Sequence, residues 1–277
     1  MYEKFKKLLK KYEKDKWIKI LHRGVSKEFA FKRLNLDEKH NTLKQFSDKI
    51  YFYGEKSKYF WSEFMDNIGI NDISFDAFNT IFNLFNKLDK SIIPFEFYHK
   101  NVKEFNYFKK ENNRKLFLKL IETLDEFKRK ETRNYYFIIL HQLDDNNYKS
   151  KSMFVSSTKD SQVAKDFSKN EIVINFWSLN ESNLSFSKLN LPLFKGEAYP
   201  NEKETSIYGV IFPQYIYSFT YRGKTYPNPS INSEKNLELA ILSGLEIQQK
   251  DFKNKMKLET AYNMGLKSDG IKDIEIR

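Results

Sequence analysis

The sequence predicts an α+β protein with a β-rich core, a long helical insertion and a helical C-terminus. Apolar residues three and four apart recur from about residue 42 to 131, as in FDAFNTIFNLFNKL, which is the spacing of amphipathic helices. Short runs rich in β-branched and aromatic residues follow, such as EIVINFW at 171–177, and these have the length and composition of strands. From about 232 to 266 the spacing is helical again. Helices and strands in separate parts of a chain are typical of the α+β class.

The composition favours a compact and basic globular protein. The 277 residues include 48 Lys and Arg against 37 Asp and Glu, a formal net charge of +11, and 17% of them are aromatic. No Cys occurs, which excludes disulfides and Cys-ligated zinc. The aromatic residues supply the apolar surface that disordered chains lack, and 9 Gly and 6 Pro are too few for flexible linkers. We therefore expect one large domain or two closely packed ones.

The sequence shows neither the pattern of a secretory signal peptide nor that of a transmembrane helix. The N-terminal stretch has neither the apolar run nor the small-residue cleavage site of a signal peptide, and no run of about 18 apolar residues occurs. We expect no membrane span and a cytoplasmic location, with delivery to a target cell by a signal-independent route as the alternative.

The first part of the chain predicts a helix, a strand and a second helix. Phe5, Leu8, Leu9 and Tyr12 form a helical stripe within residues 2–14, with lysines on the other face. A membrane-surface or nucleic-acid helix fits this pattern, but a lysine-coated helix docked on the body is favoured. The run WIKILHRGV is typical of a short buried strand that ends near a glycine, and KEFAFKRL resumes helical spacing.

The central helical block and the later strands follow in order. Asp76 or Ser74 is a candidate cap for one of the four or five helices of the block, and Pro94 interrupts the series. The predicted strands are YYFIIL (135–140), SMFVSS (152–157), EIVINFW (171–177), SIYGVIF (206–212) and YIYSFTY (215–221), with a short helix SQVAKDF at 161–167. Four segments result: 1–41 with the N-terminal helix and first strand of the core, the 42–131 insertion, the 132–231 remainder of the core, and the helical 232–277.

Most familiar kinds of enzyme site are excluded because the sequence lacks their motifs. The four histidines lie in different segments without paired spacing, so no metal site is expected. The glycine-rich nucleotide loops and the G-x-S-x-G elbow are absent as well.

Three local features remain as candidates for chemistry, and the first is Arg23-Gly24 at the end of the first strand. An arginine there can hold a phosphate through two parallel hydrogen bonds. The glycine removes a side chain that would crowd a ligand. Taken alone, an ordinary strand end with a surface arginine is the favoured interpretation.

The second feature is the hydroxyl triplet Ser156, Ser157 and Thr158 at the end of a predicted strand. It would place small donors and acceptors at the mouth of a cleft. The alternative is an N-cap for the 161–167 helix, supplied by Thr158, Asp160 or Ser161.

The third feature is Glu202-Lys203-Glu204, which precedes a predicted strand. If this segment is extended, residues i and i+2 face the same side, so the two carboxylates would flank one ligand. Surface pairs of this kind are common, and the motif alone indicates little.

In this order the three features resemble the Arg–Ser–Glu class of the mono-ADP-ribosyltransferase superfamily. That family has a strand ending in R-G, a strand opening with F-x-S-T-S before a helix with A-x-x-F, and an E-x-E loop entering a strand. The segments here are L-H-R-G at 21–24, F-V-S-S-T at 154–158 with A-K-D-F at 164–167, and E-K-E at 202–204. The resemblance implies an ADP-ribosyltransferase-like split β-sandwich core, NAD as the substrate and no metal.

The resemblance also implies roles for individual residues. Glu204 would stabilise the ribose cation through the 2′-hydroxyl, with Glu197 as the nearest alternative, and Glu202 would position or deprotonate the acceptor. Ser156 would orient Glu204. The expected cofactor-binding residues are Arg23, Gly24, His22, Ser156, Ser157 and Thr158, and the aromatic candidates for stacking on nicotinamide are Phe167, Phe176, Tyr199 and Tyr208.

The acceptor and the biological role stay open. A protein arginine, RNA or DNA are all acceptors of such enzymes, and a toxin, a phage-encoded host modifier or a defence enzyme would fit. One alternative is a non-catalytic basic protein that binds nucleic acid through lysines and exposed aromatic rings. Another is a degenerate transferase fold used only for interaction.

Overall fold

The computed structural model describes residues 2–55, 72–143, 152, 154–179, 191–208, 211 and 213–229. They form an α+β structure of helices and antiparallel strands, which confirms the predicted fold class. The predicted C-terminal helices at 232–266 and the run FWSEFMDNI at 60–68 lie outside the described residues.

The helices and strands are numbered here along the described residues. The helices are α1 (Tyr2–Lys14), α2 (Lys27–Arg33), α3 (Leu43–Tyr53), α4 (Phe75–Lys87), α5 (Phe95–Lys100), α6 (Val102–Phe108), α7 (Glu111–Glu122), α8 (Glu126–Gln142) and α9 (Ser161–Phe167). The strands are β1 (Ile18–Val25), β2 (Phe154–Thr158), β3 (Ile172–Leu179), β4 (Glu204–Tyr208), β5 (Ile216–Tyr221) and β6 (Lys224–Pro227). Short 3-10 turns lie at Lys90–Ile92, Pro200–Glu202 and Pro213–Tyr215.

The chain divides into two compact units. Unit 1 comprises Met1–Ser62, Val155–Glu181 and Lys203–Arg277, and unit 2 comprises Glu63–Phe154 and Ser182–Glu202. Unit 1 holds α1, α2, α3, α9 and the sheet. The first residue of β2, Phe154, is assigned to unit 2, and the rest of the strand belongs to unit 1. Unit 2 holds α4 to α8.

The six strands form one sheet in the order β4-β2-β1-β3-β5-β6. β1 and β3 pair antiparallel over eight residue pairs, from Ile18 with Leu179 to Val25 with Ile172. Among the described residues, β1 and β2 share the single register pair His22 with Thr158. β1 is therefore joined firmly to one neighbour and briefly to the other.

The two faces of β1 have different partners. Leu21 and Val25 belong to the buried core of unit 1, where Phe31 of α2 stacks on Phe46 of α3 with the ring centroids 5.0 Å apart. Since side chains alternate along a strand, the side chain of Arg23 leaves the backbone on this core face of the sheet, while His22 and Gly24 lie on the opposite face. Helices α1 and α9 contact β1.

Gly24 lies where α9 crosses β1. A Cβ atom built on Gly24 would be 1.9 Å from the carbonyl oxygen of Ala164 and 3.0 Å from the backbone nitrogen of Ser168. Only a residue without a side chain allows the helix to approach the strand this closely. The structure thus gives Gly24 a packing reason that the sequence did not indicate.

Aromatic rings fill the core of unit 2, as expected for the phenylalanine-rich helical block. Phe85 and Phe108 stack with their centroids 4.5 Å apart, and Phe194 stacks on Phe85 at 5.3 Å. Phe117 meets Phe108 edge to face at 5.7 Å. Ser74 caps α4 by accepting a hydrogen bond from the backbone of Ala77, which decides between the two predicted caps.

The predicted strand YYFIIL at 135–140 is wrong, because this run lies inside α8. Asp125 caps the start of that helix by accepting from the backbone of Lys128, and the helix continues to Gln142. Tyr136, Phe137 and Leu140 are fully buried. A short apolar run fits a buried helix as well as a strand, and here helical burial in the aromatic core prevails over the strand preference of the residue types.

The other predicted elements of the described part are confirmed with small shifts at their ends. α1, β1, α2, α9, β2, β3 and β5 occupy the predicted runs. The predicted strand 206–212 begins earlier, at Glu204, and is described as a strand to Tyr208.

Candidate active site

Arg23 is held in place by two hydrogen bonds. Its Nε donates to Oε1 of Glu55 at 3.2 Å, and its Nη1 donates to the backbone oxygen of Ser156 at 2.8 Å. The side chain of Arg23 is 11% exposed and that of Glu55 is 1% exposed. Nη2 makes no hydrogen bond to the residues that the structure describes.

Glu55 is the functional candidate that the sequence reasoning missed. It follows α3 and Gly54, whose φ of +77° suits glycine, and a Cβ on Gly54 would lie 2.3 Å from the oxygen of Ile211. The backbone nitrogen of Glu55 donates to that oxygen at 2.9 Å, and the nitrogen of Ile211 donates back at 3.2 Å. A glycine after an amphipathic helix signals the helix end, but nothing local indicates that the next carboxylate is buried.

The hydroxyl triplet divides between the two faces of the sheet. Residues directly opposite in an antiparallel pair share a face, so Thr158 lies on the face of His22. Ser157 therefore lies on the face of Arg23, and its Oγ donates to the backbone oxygen of Thr205 in β4 at 2.5 Å. Ser156 starts from the opposite face and contributes its carbonyl to Arg23.

The turn after β2 uses Thr158 and Asp160 for local structure. Thr158 Oγ1 accepts from the backbone nitrogen of Asp160 at 3.1 Å, and the Asp160 side chain caps α9 by accepting from Gln162 at 2.9 Å. The predicted capping alternative is thus confirmed for Asp160. The hydroxyls of Ser157 and Thr158, both predicted to bind the cofactor, already make hydrogen bonds within the protein.

His22 is separated from Arg23 by the strand itself. Its Nδ1 lies 2.8 Å from Oδ1 of Asn175, whose Nδ2 donates to Ser218 Oγ at 3.1 Å. Tyr2 donates to the same Ser218 Oγ at 3.0 Å. With the amide of Asn175 assigned in this way, Nδ1 of His22 carries the hydrogen. The structure places this predicted cofactor-binding residue in a polar network that joins β1, β3, β5 and α1.

This network predicts a pH dependence of stability. The pKa of His22 is lowered below 6.5, mainly because the imidazole is buried, and the charge of Lys165 lowers it further. The hydrogen bond to Asn175 and the charges of Asp160 and Glu13 act in the opposite direction and raise the pKa, but they do not outweigh burial. In the unfolded chain the imidazole binds a proton below about pH 6.5, whereas the folded protein resists protonation. The free energy of unfolding should therefore fall as the pH is lowered from 7 towards the pKa of folded His22.

Urea unfolding between about pH 5 and 8 measures this dependence, with His22→Gln as the comparison. The glutamine amide can donate to Asn175 but does not titrate. We expect a shallower loss of stability at low pH in this variant. An unchanged pH profile would contradict the assignment to His22.

The Glu202-Lys203-Glu204 segment is not extended, which corrects the expectation that both carboxylates face one side. Glu202 ends a 3-10 turn, and its nitrogen donates to the oxygen of Tyr199 at 3.0 Å. Lys203 has a φ of +46°, and its Nζ pairs with Asp160 at 2.9 Å. Only Glu204 is in the strand. The left-handed backbone of Lys203 breaks the alternation on which the expectation rested.

Glu204 starts from the same face of the sheet as Ser156. Ile207 of β4 packs on the core of unit 1, as does Val155 of β2, so by alternation Glu204 and Ser156 start from the opposite face of two neighbouring strands. The Oε1 of Glu204 accepts from Ser206 Oγ at 2.9 Å. Glu202 belongs to unit 2, whereas Glu204 belongs to unit 1. The alternative carboxylate, Glu197, is an exposed residue of unit 2.

The four aromatic candidates for stacking differ in exposure. Phe176 is 1% exposed within the core cluster, so the expectation that it could stack on a ligand is wrong. Phe167 is 63% exposed at the end of α9. Tyr199 lines a cavity of unit 2 with Phe95 and Tyr98, and the side chain of Tyr208 lies outside the described part.

Within the ranges that the structure describes, no group of three or more His, Asp or Glu side chains is arranged to hold a metal ion. None of the helices in those ranges combines the length and the apolar character needed to cross a bilayer. Comparisons of the chain with family models, with curated proteins and with solved structures find no match.

Proposed function

We propose that the protein is an NAD-dependent mono-ADP-ribosyltransferase that transfers ADP-ribose to a macromolecular acceptor and releases nicotinamide. The strand order carries the proposal. Arg23, Ser156 and Glu204 are far apart in the sequence, yet their strands β1, β2 and β4 are consecutive in the sheet. Neighbouring strands are what the resemblance to the Arg–Ser–Glu class implies. Arg23 starts from the core face of the sheet, whereas Ser156 and Glu204 start from the opposite face, so NAD would have to pass between β1 and β2 to contact all three.

We further propose that the sheet is a split β-sandwich like that of ADP-ribosyltransferases. The supporting observation is the contrast between the long pairing of β1 with β3 and the single described register pair of β1 with β2. Two strands that separate soon after they meet would leave a cleft between them, and in this proposal Arg23 and Ser156 would border it.

Arg23 is suited to bind the NAD pyrophosphate. Glu55 and the Ser156 carbonyl fix the orientation of the guanidinium. Nη2, which has no hydrogen-bond partner among the described residues, would donate a charge-assisted hydrogen bond to a phosphate oxygen. A donor that is already oriented loses little conformational entropy on binding. In this proposal Glu55 is a positioning residue that acts through Arg23.

The proposed reaction breaks the bond between C1′ of the ribose and the nicotinamide nitrogen. The bonding electrons leave with nicotinamide, which departs as a neutral molecule, and positive charge develops on the ribose. Glu204 would accept a hydrogen bond from the 2′-hydroxyl and stabilise this charge, with Ser156 on the same face to orient it. An acceptor nucleophile then bonds to C1′ and loses its proton to solvent.

Transfer of label from labelled NAD in a bacterial lysate tests the proposal. We expect the wild-type chain to label a macromolecule and Glu204→Gln to reduce the rate by at least about 100-fold, since the variant keeps the shape but loses the charge that faces the ribose cation. Glu197→Gln tests the alternative carboxylate, seven positions earlier. Because Glu197 is exposed and belongs to unit 2, this variant should leave the rate unchanged.

Two results would contradict the proposal. Undiminished transfer by Glu204→Gln would overturn the site assignment, and absence of NAD turnover with every lysate fraction would overturn the activity. Digestion of the labelled product with protease and with nuclease identifies the acceptor as protein or nucleic acid.

A further inference from the structure

The outward side of α1 carries a row of lysines. We define the lysine face as Lys4, Lys7, Lys11 and Lys14, which are spaced three, four and three residues apart and are all exposed. At about 100° per residue these positions fall within an arc of roughly 80°, on the side of the helix opposite its buried residues. Those buried residues are Phe5 and Leu9, which are 7% and 1% exposed.

The lysine face lacks neutralising partners on its own helix. Within the described residues, the one ion pair of α1 joins Lys6 Nζ and Glu3 Oε1 at 3.6 Å. Glu13 is engaged elsewhere, since its Oε1 accepts from the backbone nitrogen of Ile20 at 2.9 Å. Like charges three and four residues apart repel and destabilise a helix. A polyanion that bound along the face would relieve this repulsion.

An exposed aromatic ring follows three residues after Lys14, the last residue of the lysine face. Trp17 is 56% exposed, although it directly precedes the buried start of β1. An exposed tryptophan close in sequence to cationic side chains offers a flat surface on which an unpaired base can stack. The charge row and the ring are thus combined in one continuous stretch of chain.

We propose that the lysine face and Trp17 bind single-stranded nucleic acid, with phosphates on the lysines and a base on the indole. A lipid surface is disfavoured, because the apolar residues of α1 are buried against the protein and cannot enter a bilayer. An acidic protein surface would satisfy the charges but would make no use of the ring. The inference does not rest on the proposed transferase activity, since binding is measured without NAD.

Fluorescence anisotropy of the full chain with a labelled oligonucleotide of about 20 nucleotides tests the proposal at about 50 to 200 mM salt. Each phosphate contact of a single strand contributes about 0.7 to the slope of log affinity against log salt. Replacing Lys4, Lys7, Lys11 and Lys14 with Gln should therefore make the slope shallower by about 2.8 and lower the affinity at least about tenfold.

The matched control replaces Lys103, Lys109, Lys110 and Lys115 with Gln, which removes the same charge from exposed positions of unit 2. This control should retain the wild-type slope. Trp17→Ala should weaken binding by about tenfold at every salt concentration, because base stacking is less dependent on ions than phosphate contacts are. Circular dichroism of each variant verifies that the helices persist.

Three results would overturn the inference. The first is an equal loss of affinity in the control, which would show that net charge alone attracts the strand. The second is tighter binding of polyglutamate or of anionic vesicles than of the oligonucleotide. The third is absence of binding by the wild-type chain at about 50 mM salt.

Discussion

Gly24→Ala is expected to lower the free energy of unfolding by about 3 kcal/mol, at the upper end of the range for overpacked sites. The added methyl group would lie 1.9 Å from the carbonyl oxygen and 2.9 Å from the carbonyl carbon of Ala164. These are backbone atoms, so no change of side-chain rotamer relieves the overlap. Either α9 must move away from β1 or the strand must bend, and both changes disturb buried contacts.

Gly223→Ala is the control for this prediction, measured by the same chemical denaturation of the full chain. Gly223 has a φ of +80°, but a Cβ atom there would meet nothing within 4 Å. We expect this variant to lose only about 1 kcal/mol, for backbone strain without a clash. Equal losses in the two variants would show that the approach of α9 to β1 is not tight.

Denaturation of Gly24→Ala together with a measurement of NAD binding separates two explanations of Gly24. If the glycine served only to leave space for a ligand, the variant would keep its stability and lose affinity for NAD. The close approach of Ala164 predicts instead that the variant loses stability.

Glu55→Ala is expected to destabilise unit 1 by about 3 to 5 kcal/mol, the cost of removing one partner from a buried ion pair. The guanidinium of Arg23, which is 11% exposed, would lose the carboxylate at 3.2 Å from its Nε. Glu55→Gln keeps an oxygen acceptor in the same place and should lose less than Glu55→Ala. Denaturant unfolding measures both variants.

A double-mutant cycle with Arg23→Met gives the sharper result. Once Arg23 is replaced by an apolar side chain, removal of Glu55 leaves no unpaired cation, so the second substitution should cost much less than it does alone. Additive losses would contradict an energetic coupling between the two side chains. Under the proposed function, Glu55→Gln should also weaken NAD binding, because Arg23 would be less well oriented.

Local patterns were sufficient to predict most of the helices and strands that the structure describes. The run that became β1 combines β-branched residues with a glycine near its end, and the lysine-coated α1 shows helical spacing over its whole length. The error at YYFIIL has a physical cause, since Tyr136 and its neighbours are buried by distant rings such as Phe85, at 5.8 Å. Tertiary burial of this kind leaves no trace in the local sequence.

The candidate site was predictable only in part. Arg23, Ser156 and Glu204 were selected because their local motifs could be compared with a known family. Glu55 was not, because its importance comes from a partner 32 residues away. The backbone turn at Lys203 was also not predicted, since a lysine at a φ of +46° is unusual and has no local sequence signal.

The distance in sequence between β1 and its partner strands affects the order of events during synthesis. β1 is made before β2 and β3, which lie more than a hundred residues later, at 154–158 and 172–179. Ile18, Leu21 and Val25 of β1 therefore have no partner strand while residues 63–153 are synthesised. An unpaired apolar strand is prone to aggregate. The charged helix directly before it supplies flanking residues of the kind that suppress such aggregation.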